Sequence, residues 1–144
     1  MTRFNIDRIR YLIGEINSAF YKLEKIRKIS QEEFLKSQEK IDSSKYNLIV
    51  IIEGAIDICN HIVARAGGRA PTDYGDCFAI LGELEILSPE LVEKLKKMAK
   101  FRNLLVHLYW KVDNQRVFNI IQKDNNDIKL FLQAIKKFIN QSEM

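Results

Sequence analysis

From Lys45 to Ala66 the chain is apolar almost all the way round. Leu48, Ile49, Val50, Ile51, Ile52, Ile56, Ile58, Ile62 and Val63 fall on several faces of a helix of this length. A helix without a wet side has to be surrounded, either by other helices of a bundle or by a second subunit. Three polar residues interrupt the pattern. Glu53, Asp57 and Asn60 are spaced four and three apart, which puts them on one helical face. Burying carboxylates is costly unless cations or a water-filled cleft accompany them. The stripe is therefore either a solvated edge or one wall of a site, and Arg102 is the candidate partner for the second option. Glu53 and Asp57 also interrupt the best run toward the ~20 apolar residues of a membrane span, so no membrane insertion is expected.

The flanking segments yield to the same periodicity rule. Ile6, Ile9, Ile13, Ile16, Phe20 and Leu23 alternate steps of three and four, which predicts a helix capped by Asn5 and running to about Lys28. Lys22, Lys25, Arg27 and Lys28 near its end suit the helix macrodipole, a structural role preferred here over RNA binding. Ser30-Gln31-Glu32-Glu33 is a capping box that starts a second helix, with a break or bend expected near Asp42-Ser43-Ser44. Gly67-Gly68 ends the apolar helix, and Arg69 to Gly75 reads as a loop because Pro71 and Asp73 favour turns. Cys77 to Leu87 is a short helix, and Ser88-Pro89-Glu90 starts the next with serine as N-cap and proline at the first position. Asp113 caps a further helix, Asp124 to Asp127 is a turn, and Ile128, Phe131, Leu132, Ile135, Phe138 and Ile139 mark the last helix. Two prolines and six glycines in 144 residues are too few for a turn-rich β architecture. The expectation is an all-α bundle of about five principal helices, with residues 1–144 as one domain.

Charge and cysteine usage narrow the classes further. A net charge of +4 and a pI near 9.0 admit nucleic acid as a partner without requiring it. Cys59 and Cys77 are isolated in sequence, which favours two reduced thiols over a disulfide framework or zinc site. The first ten residues carry charges where a signal peptide needs an apolar core, so a cytoplasmic location is expected.

Chemistry concentrates in Phe101-Arg102-Asn103-Leu104-Leu105-Val106-His107-Leu108-Tyr109-Trp110. The preceding helix has an apolar stripe of Leu91, Leu95, Met98 and Leu105, and Arg102 stands inside it, four residues after Met98. A guanidinium on an apolar face must find an acid, an interface or a phosphate. His107, one of two histidines, lies instead in line with Lys96, Lys100 and Asn103. Five steps of ~100° separate Arg102 and His107 by roughly 140°. They can meet on one atom only if the helix bends or ends near His107, or if two copies face each other across a dimer. Arginine suits a phosphodiester because it offers paired donors and stabilises transition-state charge. Histidine, with an unperturbed pKa of ~6.5, can exchange protons with a ribose 2′-hydroxyl or the leaving oxygen. Asn103 can orient the histidine or donate to the phosphate, while Lys96, Lys97 and Lys100 would attract RNA backbone. This route needs no metal or cofactor, and the sequence offers no metal cage. The structural alternative for Arg102 and His107 is a salt bridge and a packed ring; for His61 a packed or surface role is preferred.

The segment from Arg102 to Tyr109 resembles the signature of HEPN domains, and its Arg-x4-His-x-Tyr spacing is similar to that of HepT toxins, which pair with MntA nucleotidyltransferase antitoxins. Ile51-Ile52-Glu53-Gly54-Ala55, Arg69-Ala70-Pro71, Leu87-Ser88-Pro89-Glu90-Leu91 and Met98-Ala99-Lys100-Phe101-Arg102 resemble the same family, so the likeness covers most of the chain. It implies a HEPN-type helical bundle that forms a homodimer with its cleft at the interface. It also implies metal-independent ribonuclease activity, with Arg102 and His107 catalytic and Asn103 as their polar companion. Tyr109 matches the tyrosine that the partner enzyme adenylylates to silence the toxin. The alternative within this resemblance is a non-catalytic helical partner of a minimal nucleotidyltransferase.

Overall fold

The computed structural model describes residues 4–66, 68–123 and 125–143. The expected turn residue Asp124 and the helix-ending Gly67 lie outside them. The described residues form seven α-helices and no strand. They are α1 (Ile6–Arg27), α2 (Gln31–Lys36), α3 (Gln38–Ala66), α4 (Tyr74–Glu83), α5 (Pro89–His107), α6 (Asn114–Lys123) and α7 (Asn125–Glu143), with a 3-10 turn at Tyr109–Lys111 between α5 and α6.

The 29-residue α3 is the axis of this bundle, touching α1, α2, α4, α5 and α6. Ile51, Ile52, Ile58 and Ile62 on it are almost entirely buried. At Gly54 a Cβ would stand 2.7 Å from Cγ1 of Ile16 on α1, so glycine is what lets those two helices approach so closely. By length and hydropathy α3 would pass as a membrane span despite Glu53 and Asp57, contrary to the expectation from its sequence. Its apolar window is 61% buried inside the bundle, where neighbouring helices satisfy the requirement that lipid otherwise would.

Helix ends follow capping chemistry. Asn5 accepts from the Arg8 amide, Ser30 from Glu33 and Ser88 from Leu91. Asp113 starts α6: its carboxylate accepts from the Gln115 amide at 3.0 Å and its carbonyl from Val117 at 3.2 Å. The expected break at Asp42–Ser44 falls instead at Ser37, which is extended and accepts from the Lys40 amide as it starts α3. Asp42 and Ser43 stay helical because their side chains have other partners: Gln38 and Tyr109 for the first, Asn47 for the second.

Helix α4 is displaced from the predicted Cys77–Leu87. It begins at Tyr74 because the Asp73 carboxylate accepts from the Asp76 amide at 2.7 Å. It ends at Glu83 because Glu85 takes a left-handed φ of 62°, and the Ile86 and Leu87 amides turn back to the Leu81 carbonyl. Helix α7 starts at Asn125, within the expected 124–127 turn, and Asp127 in its first turn lies 3.7 Å from Lys94 of α5. Cys59 and Cys77 are free and buried; the Cys77 thiol donates to Asn60 Oδ1 at 3.0 Å.

Candidate active site at the end of helix α5

Arg102 reaches from α5 to α3. Its Nε and Nη2 donate to the same Glu53 Oε1, at 3.1 and 2.7 Å, and its Nη1 donates to Asn103 Oδ1 at 3.0 Å. The guanidinium carbon lies 5.1 Å from the centre of the Tyr74 ring, within cation–π range. Only 15% of the arginine side chain is exposed, against 44% of Glu53, so the pair has its cation inside and its carboxylate toward water. Glu53, Ile56, Asp57, Asn60, Tyr74 and Arg102 line a small cleft of about 100 Å³. Burial pushes the Asp57 carboxyl above its ordinary range; the nearby Glu53 charge adds to this and Arg8 opposes it. The polar stripe of α3 thus faces Arg102, although Asn60 is engaged by Cys77 rather than by the arginine.

Tyr74 carries no signal in the sequence, where it reads as part of a loop. Its position depends on a clamp just before it. Arg69 forms ion pairs with Asp76 and Glu83 at 2.7 and 2.9 Å, and the Thr72 amide donates to Asp76 at 3.0 Å. These contacts fold the 69–73 segment onto α4 and set the first residue of that helix against Arg102. The Arg69 guanidinium, helped by the Thr72 amide, holds the Asp76 carboxyl far below the usual carboxylate range.

His107 is the last residue of α5 and is exposed. Because α5 is helical from Arg102 through His107, the separation of roughly 140° around the axis is retained. Asn103 and Lys100 are exposed on the histidine side. Lys96 is half-buried and 3.5 Å from Glu93. Lys97 is elsewhere: with Phe20, Met98, Phe101, Arg116 and Ile120 it lines a separate cavity of about 540 Å³.

Beyond His107 the chain folds back onto α3. The Tyr109 hydroxyl donates to Asp42 Oδ1 at 2.7 Å, and Lys45 Nζ stands 4.3 Å from the ring centre and 3.3 Å from the Tyr109 carbonyl oxygen. Burial and the bond to Asp42 push the phenol up to about 12. The same bond, with one from Gln38, holds the Asp42 carboxyl below its ordinary range. Asp42 and Lys45 were invisible as site residues in the sequence, because they precede Tyr109 by more than sixty positions. Trp110 alongside is 74% exposed.

The all-α bundle, with an arginine and a histidine in the final turns of one helix followed by a tyrosine, is a HEPN-type fold. The family model described as "Ribonuclease HepT-like" matches residues 16–135, and the chain belongs to that ribonuclease family. It is 31% identical over 118 residues to the tRNA nuclease HepT of Aphanizomenon flos-aquae, covering 81% of this chain and 80% of that one. It is 33% identical over 95 residues to the mRNA nuclease HepT of Shewanella oneidensis, covering 66% and 71% respectively. Among solved structures, the tri-AMPylated Shewanella oneidensis HEPN toxin in complex with MNT antitoxin superposes with a TM-score of 0.83. Its sequence identity is 27%, and the match covers 91% of this chain and 98% of that one.

Proposed function

We propose that this chain is a metal-independent ribonuclease toxin of the cytoplasm, working as a homodimer of single-domain subunits and partnered by an MntA-like nucleotidyltransferase. Arg102 binds the scissile phosphate and stabilises its added charge, and His107 moves the proton. The 2′-oxygen then attacks phosphorus, the 5′-oxygen leaves, and a 2′,3′-cyclic phosphate remains. Asn103 accepts from Arg102 through its Oδ1 and helps hold the direction of the guanidinium. The arginine supplies the positive charge a metal would otherwise bring. Adenylylation of Tyr109, two residues from His107, silences the enzyme by placing a phosphate and a nucleoside where RNA has to enter.

The observation that carries this reading is the largely buried Arg102, whose Nη1 bonds, among the described residues, a neighbouring amide rather than a second carboxylate. With chelator present, the wild type is expected to cleave RNA to cyclic-phosphate ends. Arg102→Ala and His107→Ala should each lose about 10²–10⁴-fold in rate. Equal cleavage by all three proteins would sink the proposal. The pairing of Arg102 with Glu53 also suits a non-catalytic partner of a nucleotidyltransferase. That second reading prevails if the wild type binds such an enzyme tightly and leaves RNA intact.

A further inference from the structure

The Tyr109 hydroxyl is already bonded, before any partner arrives, to a carboxylate of its own chain. We infer that Asp42 is the base that receives the Tyr109 proton when this tyrosine is nucleotidylated, so that the toxin supplies part of the machinery of its own silencing. The inference rests on the reading of Tyr109 as the modified residue.

The geometry is that of an activated nucleophile. The hydroxyl donates to Asp42 Oδ1 at 2.7 Å, which fixes the direction of its proton and points the oxygen's lone pairs away from the carboxylate, available for attack. Lys45 holds the tyrosine from the other side: its Nζ is 4.3 Å from the ring centre and bonds the Tyr109 carbonyl at 3.3 Å. Lys45 is the charged group facing the pair and itself is almost wholly buried, so the ring has a fixed seat. Gln38, one turn earlier on α3, donates to the same Asp42 oxygen at 3.0 Å and orients the carboxylate. Asp42 is exposed, which leaves it open to water after the reaction.

The step balances without any added oxidant or reductant. A nucleoside triphosphate bound to the partner enzyme offers its α-phosphorus. The Tyr109 oxygen forms a bond to that phosphorus as its proton passes to Asp42. The bond from the α-phosphorus to the bridging oxygen breaks, and pyrophosphate leaves with the electron pair. Asp42 then gives the proton to solvent. A phenol pushed up to about 12 is scarcely ionised at neutral pH, so the proton has to leave as the new bond forms. An aspartate accepting from an attacking hydroxyl is an established solution to the same problem in phosphoryl transfer.

The test follows AMP incorporation by intact-mass spectrometry, with an MntA-type nucleotidyltransferase, ATP and magnesium acting on wild type, Asp42→Asn, Asp42→Glu and Tyr109→Phe. Asp42→Asn should be modified about 100-fold more slowly in kcat with its KM as a protein substrate unchanged. Its rate should climb with pH between about 7 and about 9, approaching tenfold per unit relative to wild type, because the phenol must then ionise unaided. Asp42→Glu should recover much of the rate, and RNA cleavage by unmodified Asp42→Asn should match wild type. Modification of Asp42→Asn at the wild-type rate, or a loss confined to KM with no change in pH slope, would overturn the role of Asp42 while leaving Tyr109 as the target. Absence of AMP on wild type, or its persistence on Tyr109→Phe, would overturn both.

Discussion

Arg102 and Glu53 form an asymmetric pair, and the asymmetry decides what it can do. The carboxylate engages the Nε–Nη2 edge through one oxygen, while Nη1 bonds a neutral amide. An exposed ion pair contributes about 0–1 kcal/mol, whereas stripping a partner from a buried one costs about 3–5 kcal/mol. This pair sits between those cases, so Glu53 acts more as a clamp on the guanidinium's direction than as a store of stability. Its charge also opposes an approaching phosphate. Glu53→Gln should therefore lower kcat for RNA cleavage about tenfold while KM stays level or falls, a split that single-turnover kinetics and binding measurements resolve. A rise in KM at constant kcat would mean that the glutamate helps hold RNA.

At the scale of elements, α3 serves two ends of the molecule. Near its C-terminus, His61 Nε2 accepts the Asn5 backbone amide at 2.9 Å and so helps cap α1. Burial, with Arg65 and Arg8 adding repulsion, lowers the pKa of this histidine from 6.5. A depressed histidine favours the neutral form in the fold. Its contribution is complete above the unfolded value of 6.5 and fades as pH falls from there through the native value. His61→Ala should cost about 0.5–1 kcal/mol at pH near 7.5 and flatten the acid side of the stability profile, read by urea unfolding across that window. If the variant keeps the wild-type acid slope, the cap is not the titrating contact. Near the other end, Asp42 and Lys45 seat the turn after α5. One helix thus carries both the carboxylate that clamps Arg102 and the residues that seat Tyr109.

For the whole molecule, the decisive quantity is the roughly 140° between Arg102 and His107 on an unbroken helix. Helix α5 ends at His107, and the proposed homodimer offers a second resolution, a composite cleft with Arg102 from one subunit and His107 from the other. Under that arrangement, mixed dimers of Arg102→Ala and His107→Ala chains contain one intact site each. Random reassociation of the two inactive proteins should restore about a quarter of wild-type activity, since half the dimers are mixed and each has one of two sites. No restoration would confine each site to a single subunit.

Local chemistry was legible in the sequence wherever it decides structure alone. Asn5, Ser30, Ser88 and Asp113 start helices because a side-chain oxygen next to orphan amides is a local bargain, independent of the rest of the fold. The apolar girth of α3 required a bundle or a second subunit around it, and the Glu53–Asp57–Asn60 stripe read as a solvated edge or as a wall facing Arg102, because a carboxylate cannot enter a core alone. The contacts that only the tertiary structure decided join distant positions. The break fell at Ser37 rather than at Asp42 because Tyr109 claims Asp42 across the fold. Helix α4 stopped early because Glu85 accepts a left-handed conformation so that its chain can turn toward α5. Tyr74 reached Arg102 because Arg69 folds its loop onto α4. Periodicity reports which face of an element is buried, but the neighbour that covers that face is set by packing between segments that the sequence keeps far apart.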